Sequence, residues 1–278
     1  MKEMPELPEV ETIRRIIEPQ ISGRSITSLE IHNPQIIAFP DADTFSSSLV
    51  GCSFTGMSRR GKFLIFHLDN GSRLVLHLRM TGQMLVTPAD YQEEKHTHLK
   101  AELSDGKQIR YIDIRRFGRF WLLGKDQADT VTGMDKLGIE PDDKLLTANF
   151  LIEKLNKRKK AIKEMLHDQT IIAGIGNIYS DEILHAARIY PEKSCNALTN
   201  AEWKRLAEQI PKVIAWAIEA NEITPEDYLA GKGKEYRNTP FLKAYGHNGK
   251  PCEICGTLFE KLTVGGRSSC YCPKCQKK

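Results

Sequence analysis

An α+β chain built in more than one part is what the sequence predicts, and three observations predict it. Residues from about 24 to 124 fall into short apolar runs separated by turn signals, helical spacing takes over beyond the polar stretch near 125–132, and two Cys-x-x-Cys pairs stand near the end. No internal repeat interrupts this order.

Each element has its own local reason. Pro8 suits a first helical turn, Glu9 and Glu11 suit the positive end of a helix dipole, and Val10, Ile13, Ile16 and Ile17 make an inward stripe expected to end before Pro19. Further on, Lys62–Leu68 and Arg73–Leu78 flank Asp69-Asn70-Gly71, a hairpin turn. A second hairpin is expected around Asp105-Gly106, with arms Leu99–Leu103 and Gln108–Ile112 and with Ile109 and Tyr111 on one face. Such a strand-rich stretch reads as a sandwich or flattened barrel.

In the second half Leu151, Leu155, Ile162, Met165 and Leu166 follow helical spacing. Residues 201–221 place Trp203, Leu206, Ile210, Val213, Ile214 and Ala217 on one face, and Pro211 is expected to kink or break that helix. Between them Ala173-Gly174-Ile175-Gly176-Asn177-Ile178-Tyr179 reads as a tight turn before a helix, whose backbone N–H groups can face a phosphate. A lone Gly-x-Gly is more often a plain helix connection. Gly231-Lys232-Gly233-Lys234 reads as a mobile loop.

Composition narrows the function classes. With 278 residues, 40% hydrophobic and 27% charged, the chain reads as soluble and globular, and its length alone predicts two domains rather than one. No apolar run reaches the length of a membrane span, and the charged N-terminal stretch is not a signal peptide, so a cytoplasmic protein without a membrane partner is expected. The net charge is +4, and residues 250–278 carry six basic and two acidic side chains, which leaves residues 1–249 formally neutral. A second basic run, Lys157-Arg158-Lys159-Lys160, has Lys154 and Lys163 nearby. Two basic patches on a neutral body point to a polyanion, although either run alone could be a solvated helix face.

Five of the seven cysteines fall within the last 27 residues, which in a cytosolic chain argues for metal rather than disulfides. Cys252-x-x-Cys255 and Cys272-x-x-Cys275 are separated by sixteen residues, and four thiolates so paired satisfy one tetrahedral zinc with no open position. The site is therefore expected to be structural. Cys270 is the spare, since the two-residue spacing favours Cys272. Between the pairs, Gly265-Gly266 puts Arg267 near a hairpin tip, where a guanidinium could grip phosphate.

The run Met4-Pro5-Glu6-Leu7-Pro8-Glu9 offers a different chemistry. A chain translated from Met4 and trimmed of that methionine would begin with the free secondary amine of Pro5, which can attack a carbonyl carbon to give an iminium. A chain beginning at Met1 buries the same nitrogen in an amide, and Pro5 is then a turn residue. Glu6 and Glu9 are acid/base candidates, although two glutamates at a helix start are more often capping charges.

Together the proline segment, the Gly-Ile-Gly-Asn-Ile-Tyr turn and the four-cysteine pattern resemble the bacterial formamidopyrimidine-DNA glycosylase family, from Met4 to the C-terminus and in the family's order. The resemblance implies an N-terminal β-sandwich, a helix–two-turn–helix domain and a C-terminal zinc finger, here residues 1–132, 133–222 and 223–278. It implies a bifunctional DNA glycosylase and abasic-site lyase that excises oxidised purines (formamidopyrimidine, 8-oxoguanine) from duplex DNA and cuts the strand, with one structural zinc, no small-molecule cofactor, and a monomer sufficient for the work.

By position, Pro5 matches the family's Schiff-base nucleophile, Glu6 its acid/base partner and Glu9 the second acidic position. Lys62 matches the hairpin lysine of β-elimination and phosphate contact, and Arg267 the finger arginine of the second elimination. Asn177 matches a phosphate-binding residue, while His96, Arg115, Arg116 and Lys159 fall at or beside DNA-contacting positions. Met80, Arg115 and Phe117 resemble the trio that fills the void left by a flipped nucleotide, a role an apolar wedge and an arginine can serve. Without the resemblance Met80 and Phe117 would be assigned to the core.

Three departures stand out. Met1-Lys2-Glu3 precedes the motif, Ser268-Ser269-Cys270 follows Arg267 where the family often has a small residue, threonine and an aromatic, and Lys234–Asn238 does not reproduce the expected lesion-covering residues. Alternatives are an oxidised-pyrimidine glycosylase of the endonuclease VIII branch, against which Leu7 speaks because that branch commonly has glycine there, and a non-catalytic lesion-binding paralogue if the chain truly starts at Met1. A generic zinc-ribbon nucleic-acid binder would leave Pro5, Lys62 and the glycine turn unexplained.

Overall fold

The computed structural model describes residues 4–233 and 239–278. The chain forms two compact units. One is built on Glu9–Asp135, with Pro5 and the segment beginning at Glu222; the other on Lys136–Asn221, with Glu6–Pro8 and the C-terminal residues to Lys278.

In the first unit, helix α1 (Leu7–Ile21) precedes strands β1 (Ile26–Ile31) and β2 (Ile37–Phe39) and helix α2 (Ala42–Leu49). Strands β3 (Phe54–Arg60), β4 (Phe63–Leu68), β5 (Arg73–His77), β6 (Gly82–Thr87), β7 (Thr97–Leu103), β8 (Gln108–Asp113) and β9 (Arg119–Leu123) follow. They make a four-stranded sheet, β1-β7-β8-β6, and a five-stranded sheet, β2-β9-β5-β4-β3. Both expected hairpins form as antiparallel pairs, β4 with β5 and β7 with β8. Side chains of both sheets, among them Leu64, Phe66, Leu76, Leu99, Ile109 and Tyr111, share one core with Val10, Ile13, Ile17 and Ile21 of α1. This is the β-sandwich.

Helix α1 does not stop before Pro19; it runs on to Ile21. The missing proline N–H costs one bond in the last turn, whereas Ile21 is fully buried in the core and Ser22 N–H still reaches the Glu18 carbonyl at 3.0 Å.

The second unit contains α3 (Ala148–Leu155), α4 (Ile162–Leu166), α5 (Asn177–Ala187) and α6 (Asn200–Ala220). Pro211 was expected to kink or break α6, yet the helix continues through it for 21 residues. A capping box of Thr199 and Glu202 secures its start, and buried Trp203, Leu206 and Ile210 before the proline and Ile214 and Ala217 after it hold both sides in one core. Burying side chains of that size contributes roughly 1.5–3 kcal/mol each, which outweighs the roughly 3 kcal/mol proline penalty.

The basic run Lys157–Lys160 is not a helix face. It is an exposed connection between α3 and α4, pinned through its backbone, because the carbonyls of Arg158, Lys159 and Lys160 accept from Asn196 N–H, Ser194 Oγ and Cys195 N–H.

The C-terminal hairpin pairs β10 (Glu260–Val264) with β11 (Arg267–Tyr271). Helix α5 holds the C-terminal segment, this hairpin included, through two successive carboxylates. Asp181 accepts from Ser269 Oγ, from Cys270 N–H at 2.9 Å and from the buried Lys163 Nζ at 2.7 Å, and Lys163 also reaches the Ser268 carbonyl. Glu182 accepts the N–H groups of Lys243, Ala244 and Tyr245 at 2.8–2.9 Å.

Gly231–Gly233, read from sequence as a mobile loop, form a turn closing the short helix Pro225–Ala230, and Lys232 pairs with Glu94 at 2.9 Å. Lys234–Asn238, the core of the expected lesion-covering segment, lie outside the described residues.

Candidate active site and metal centre

In the first unit, Pro5 is buried, and Lys62 follows Gly61 in the turn between β3 and β4. Arg59 braces that turn, its Nη1 donating to the Gly61 carbonyl at 3.0 Å and its Nε to Glu11 at 3.3 Å. Only about 6% of Lys62 is exposed. Near it in the sheet lies His77, which in the sequence reads as one more strand residue. His77 is opposite Phe63, with the rings edge-to-face at 4.6 Å, and its Nδ1 accepts the Arg79 N–H at 3.0 Å. That bond leaves the proton on Nε2, so His77 is a fixed donor.

Burial, and then the charges of Arg79 and Lys62, push the His77 imidazole down from 6.5 to about 3. The unfolded chain therefore binds this proton more readily than the folded one. The contribution to stability is complete above about pH 6.5 and is lost as pH falls toward about 3. Between about pH 7.5 and pH 5 the wild type is expected to lose about 2 kcal/mol more than His77→Gln in urea titrations. Equal losses in the two proteins would refute this account of His77.

The residues read as void-filling lie on loops of the same unit. Met80 is half-buried and Phe117 is 45% exposed, with the Arg115 guanidinium 4.5 Å from the Phe117 ring centroid. Neither Met80 nor Phe117 is a core residue, contrary to what residue type alone suggests. Arg115 and Arg116 are exposed and His96 is half-buried; Arg79, His96 and Arg116 all take positive φ (54, 70 and 58°). Left-handed backbone at three non-glycine residues is a concentration of strain of the kind found at binding sites.

In the second unit, the Gly-Ile-Gly-Asn turn does start a helix, and several of the N–H groups there are engaged by side chains. The Glu6 carboxylate, 2% exposed, accepts from Gly176 at 2.7 Å, Ile178 at 2.8 Å and Tyr179 at 3.4 Å. The Glu6 carboxylate thus sits at the positive end of α5 and takes three of the N–H groups in and after the turn. Gly174 is obligatory here, with φ +93° and a Cβ that would lie 2.5 Å from Leu7 Cδ1. Asn177, first residue of α5, is half-buried and its side-chain oxygen has no partner. Lys159 is exposed in the pinned connection, and Arg267 is exposed immediately after the Gly265-Gly266 turn. Glu9 is buried in α1.

Cys252, Cys255, Cys272 and Cys275 bring their sulfurs within 4.8 Å of one another. Two of the separations, 4.0 Å for Cys252–Cys275 and 3.4 Å for Cys255–Cys272, bracket the roughly 3.8 Å between sulfurs around tetrahedral zinc with bonds of about 2.3 Å. Four thiolates of this geometry fit one zinc and leave no position open for substrate. Cys270 is buried on β11 and outside the cluster, so it is neither a ligand nor an exposed thiol. His185 Nε2 lies 3.5 Å from Cys252 Sγ, a neighbour that the cysteine spacing gave no means of finding.

Comparison with known proteins agrees with this architecture. Residues 4–120 match the formamidopyrimidine-DNA glycosylase N-terminal domain, 137–228 the formamidopyrimidine-DNA glycosylase H2TH domain, and 249–278 the zinc finger found in FPG and IleRS. The formamidopyrimidine-DNA glycosylase of Pelotomaculum thermopropionicum is 42% identical over 274 residues, covering 99% of each chain. Crystal structures of the Lactococcus lactis Fpg protein bound to DNA containing FAPY-dG and to DNA containing an oxidised pyrimidine each superpose with a TM-score of 0.90 at 37% identity; they cover 98% and 99% of this chain and all of theirs. With a β-sandwich, an H2TH domain and a four-cysteine zinc site in that order, this chain belongs to the formamidopyrimidine-DNA glycosylase family.

Proposed function

We propose that this protein excises oxidised purines, formamidopyrimidine and 8-oxoguanine, from duplex DNA and then cuts the strand at the abasic site. The observation that carries the reading is Glu6: a buried carboxylate one peptide bond from Pro5, held by three backbone N–H groups at 2.7–3.4 Å. A charge fixed so firmly beside a potential amine nucleophile is suited to stabilising and relaying protons at a reacting sugar.

In this mechanism the free Pro5 amine attacks C1′, the N-glycosidic bond breaks, and the base departs with a proton. The amine then loses its proton and the C1′–O4′ bond breaks, O4′ taking a proton from Glu6, which opens the sugar to an iminium; this acidifies the C2′ proton, whose removal expels the 3′ phosphate, and a second elimination expels the 5′ phosphate. Glu6 acts as acid and base. Lys62 serves β-elimination, Arg267 the second elimination, and both neutralise phosphate. Asn177, Lys159, His96 and Arg116 hold the backbone, with His77 Nε2–H as a further donor. Met80, Arg115 and Phe117 occupy the void of the extruded nucleotide. Zinc, bound by Cys252, Cys255, Cys272 and Cys275, holds the finger that presents Arg267.

The labour divides as residues 1–132 for chemistry and wedge, 133–222 for DNA backbone binding, and 223–278 for the lesion cover and finger. A monomer working in the cytoplasm suffices; among the described residues no helix is long and apolar enough to cross a membrane.

A second reading, excision of oxidised pyrimidines, is favoured by one observation, the Lactococcus lactis complex with oxidised-pyrimidine DNA. Cleavage of duplexes carrying formamidopyrimidine, 8-oxoguanine or an oxidised pyrimidine, with borohydride trapping and intact mass, tests both. Faster turnover of the purine lesions with a covalent adduct is expected. Preference for the pyrimidine would move the substrate to the second reading, and binding without any adduct would make the protein a non-catalytic lesion binder.

A further inference from the structure

We propose that Asp113 is the positioning residue that sets the three DNA-facing loops of the sandwich unit as one body; this rests on the void-filling role of Met80, Arg115 and Phe117 proposed above. Asp113 ends β8 with 0% exposure, and its polar groups are shared among segments distant in sequence. One carboxylate oxygen accepts from Thr81 Oγ1, next to Met80, and from the Arg115 N–H at 3.1 Å. The other accepts from the Gly118 N–H at 2.9 Å and Tyr111 OH at 3.1 Å. Its own N–H donates to the His96 carbonyl at 3.1 Å, and its carbonyl accepts from His98 Nε2 at 2.8 Å and Arg116 N–H at 3.3 Å.

Thr81 Oγ1 also accepts the Arg115 N–H at 3.1 Å, a direct link between the loop of Met80 and the loop of Phe117. The packing under these bonds allows no slack. A Cβ on Gly118 would lie 1.7 Å from Tyr111 Oη, and one on Gly82 would lie 2.7 Å from the same atom. The two wedge-bearing loops thus close on a single Tyr111–Asp113 pair, and Arg79, His96 and Arg116, left-handed at φ 54, 70 and 58°, stand in the segments it holds. Strained backbone of this kind persists only where surrounding bonds over-determine it.

Asparagine cannot replace this carboxylate. Whichever way its amide turns, one oxygen becomes an N–H group facing a backbone N–H, of Arg115 or of Gly118. Thr81→Val is the milder probe, removing one hydroxyl at constant shape.

The test uses the full chain with a duplex carrying 2-aminopurine opposite a tetrahydrofuran abasic analogue, whose fluorescence reports wedge insertion. Cleavage of lesion duplex and borohydride trapping on a single-stranded abasic oligonucleotide are measured in parallel, since a single strand has no void to fill. Asp113→Asn is expected to lose most of the fluorescence change and about tenfold or more in duplex kcat/KM, with Thr81→Val intermediate. Single-strand trapping should stay within about twofold in both variants, a split that general loss of folding would not produce. Wild-type fluorescence and duplex rates in Asp113→Asn would overturn the proposal, as would an equal fall on single strand and duplex in both variants. Met80→Ala is the separate check: if it leaves the fluorescence change intact, the void-filling reading itself fails.

Discussion

A form of the protein whose Pro5 nitrogen is acetylated, or which keeps residues 1–4, is expected to lose base release and strand cutting by at least about 10³-fold. The reason is electronic. An amide nitrogen shares its lone pair with the carbonyl, whereas a free proline nitrogen is a secondary amine able to form an iminium. Pro5 is buried and Glu6 is held by three backbone N–H groups, so the surroundings are preformed and the missing element in the blocked protein is the lone pair. Affinity for an abasic-analogue duplex should fall far less than turnover. Intact mass identifies the N-terminus in each preparation, and borohydride trapping reads the imine. Full-rate cutting by a protein shown to carry Met4 ahead of Pro5 would remove Pro5 from the mechanism.

Removal of zinc is expected to act on binding instead. Structural zinc contributes roughly 10–16 kcal/mol to small finger domains, and a two-stranded hairpin such as β10–β11 is marginal by itself. Cys272→Ser, or chelation of the wild type, should release one zinc per chain and lower affinity for lesion duplex by about 10²-fold or more. Far-UV circular dichroism should change little, because the core of α3–α6 is made of residues outside the finger. The loss is therefore of grip and of Arg267, not of the helical scaffold. A metal-free protein with undiminished affinity would show that the finger has no part in DNA binding.

Much of this was legible in the chain because the signals were local. Asp69-Asn70-Gly71 and Asp105-Gly106 fixed both hairpins, and the cysteine spacing fixed the metal cluster. Local signals misled where tertiary packing was stronger: Pro19 and Pro211 sit inside helices because Ile21, Ile214 and Ala217 are buried beyond them. Long-range partners left no trace in the sequence. Glu6 meets Gly176 across 170 residues, and nothing near either one announced that the glycine turn would hold a carboxylate. Asp113 and His77 were hidden for a related reason. Each reads as an ordinary strand residue until its neighbours from other strands are known.

The paired carboxylates on α5 have a consequence for how the protein is made. Asp181 and Glu182 are synthesised well before the residues they hold, 61 positions ahead of Lys243 and 88 ahead of Ser269. The seat for the finger therefore emerges from the ribosome earlier than the finger does. A segment too small to fold unaided therefore follows, in order of synthesis, the two carboxylates that hold it.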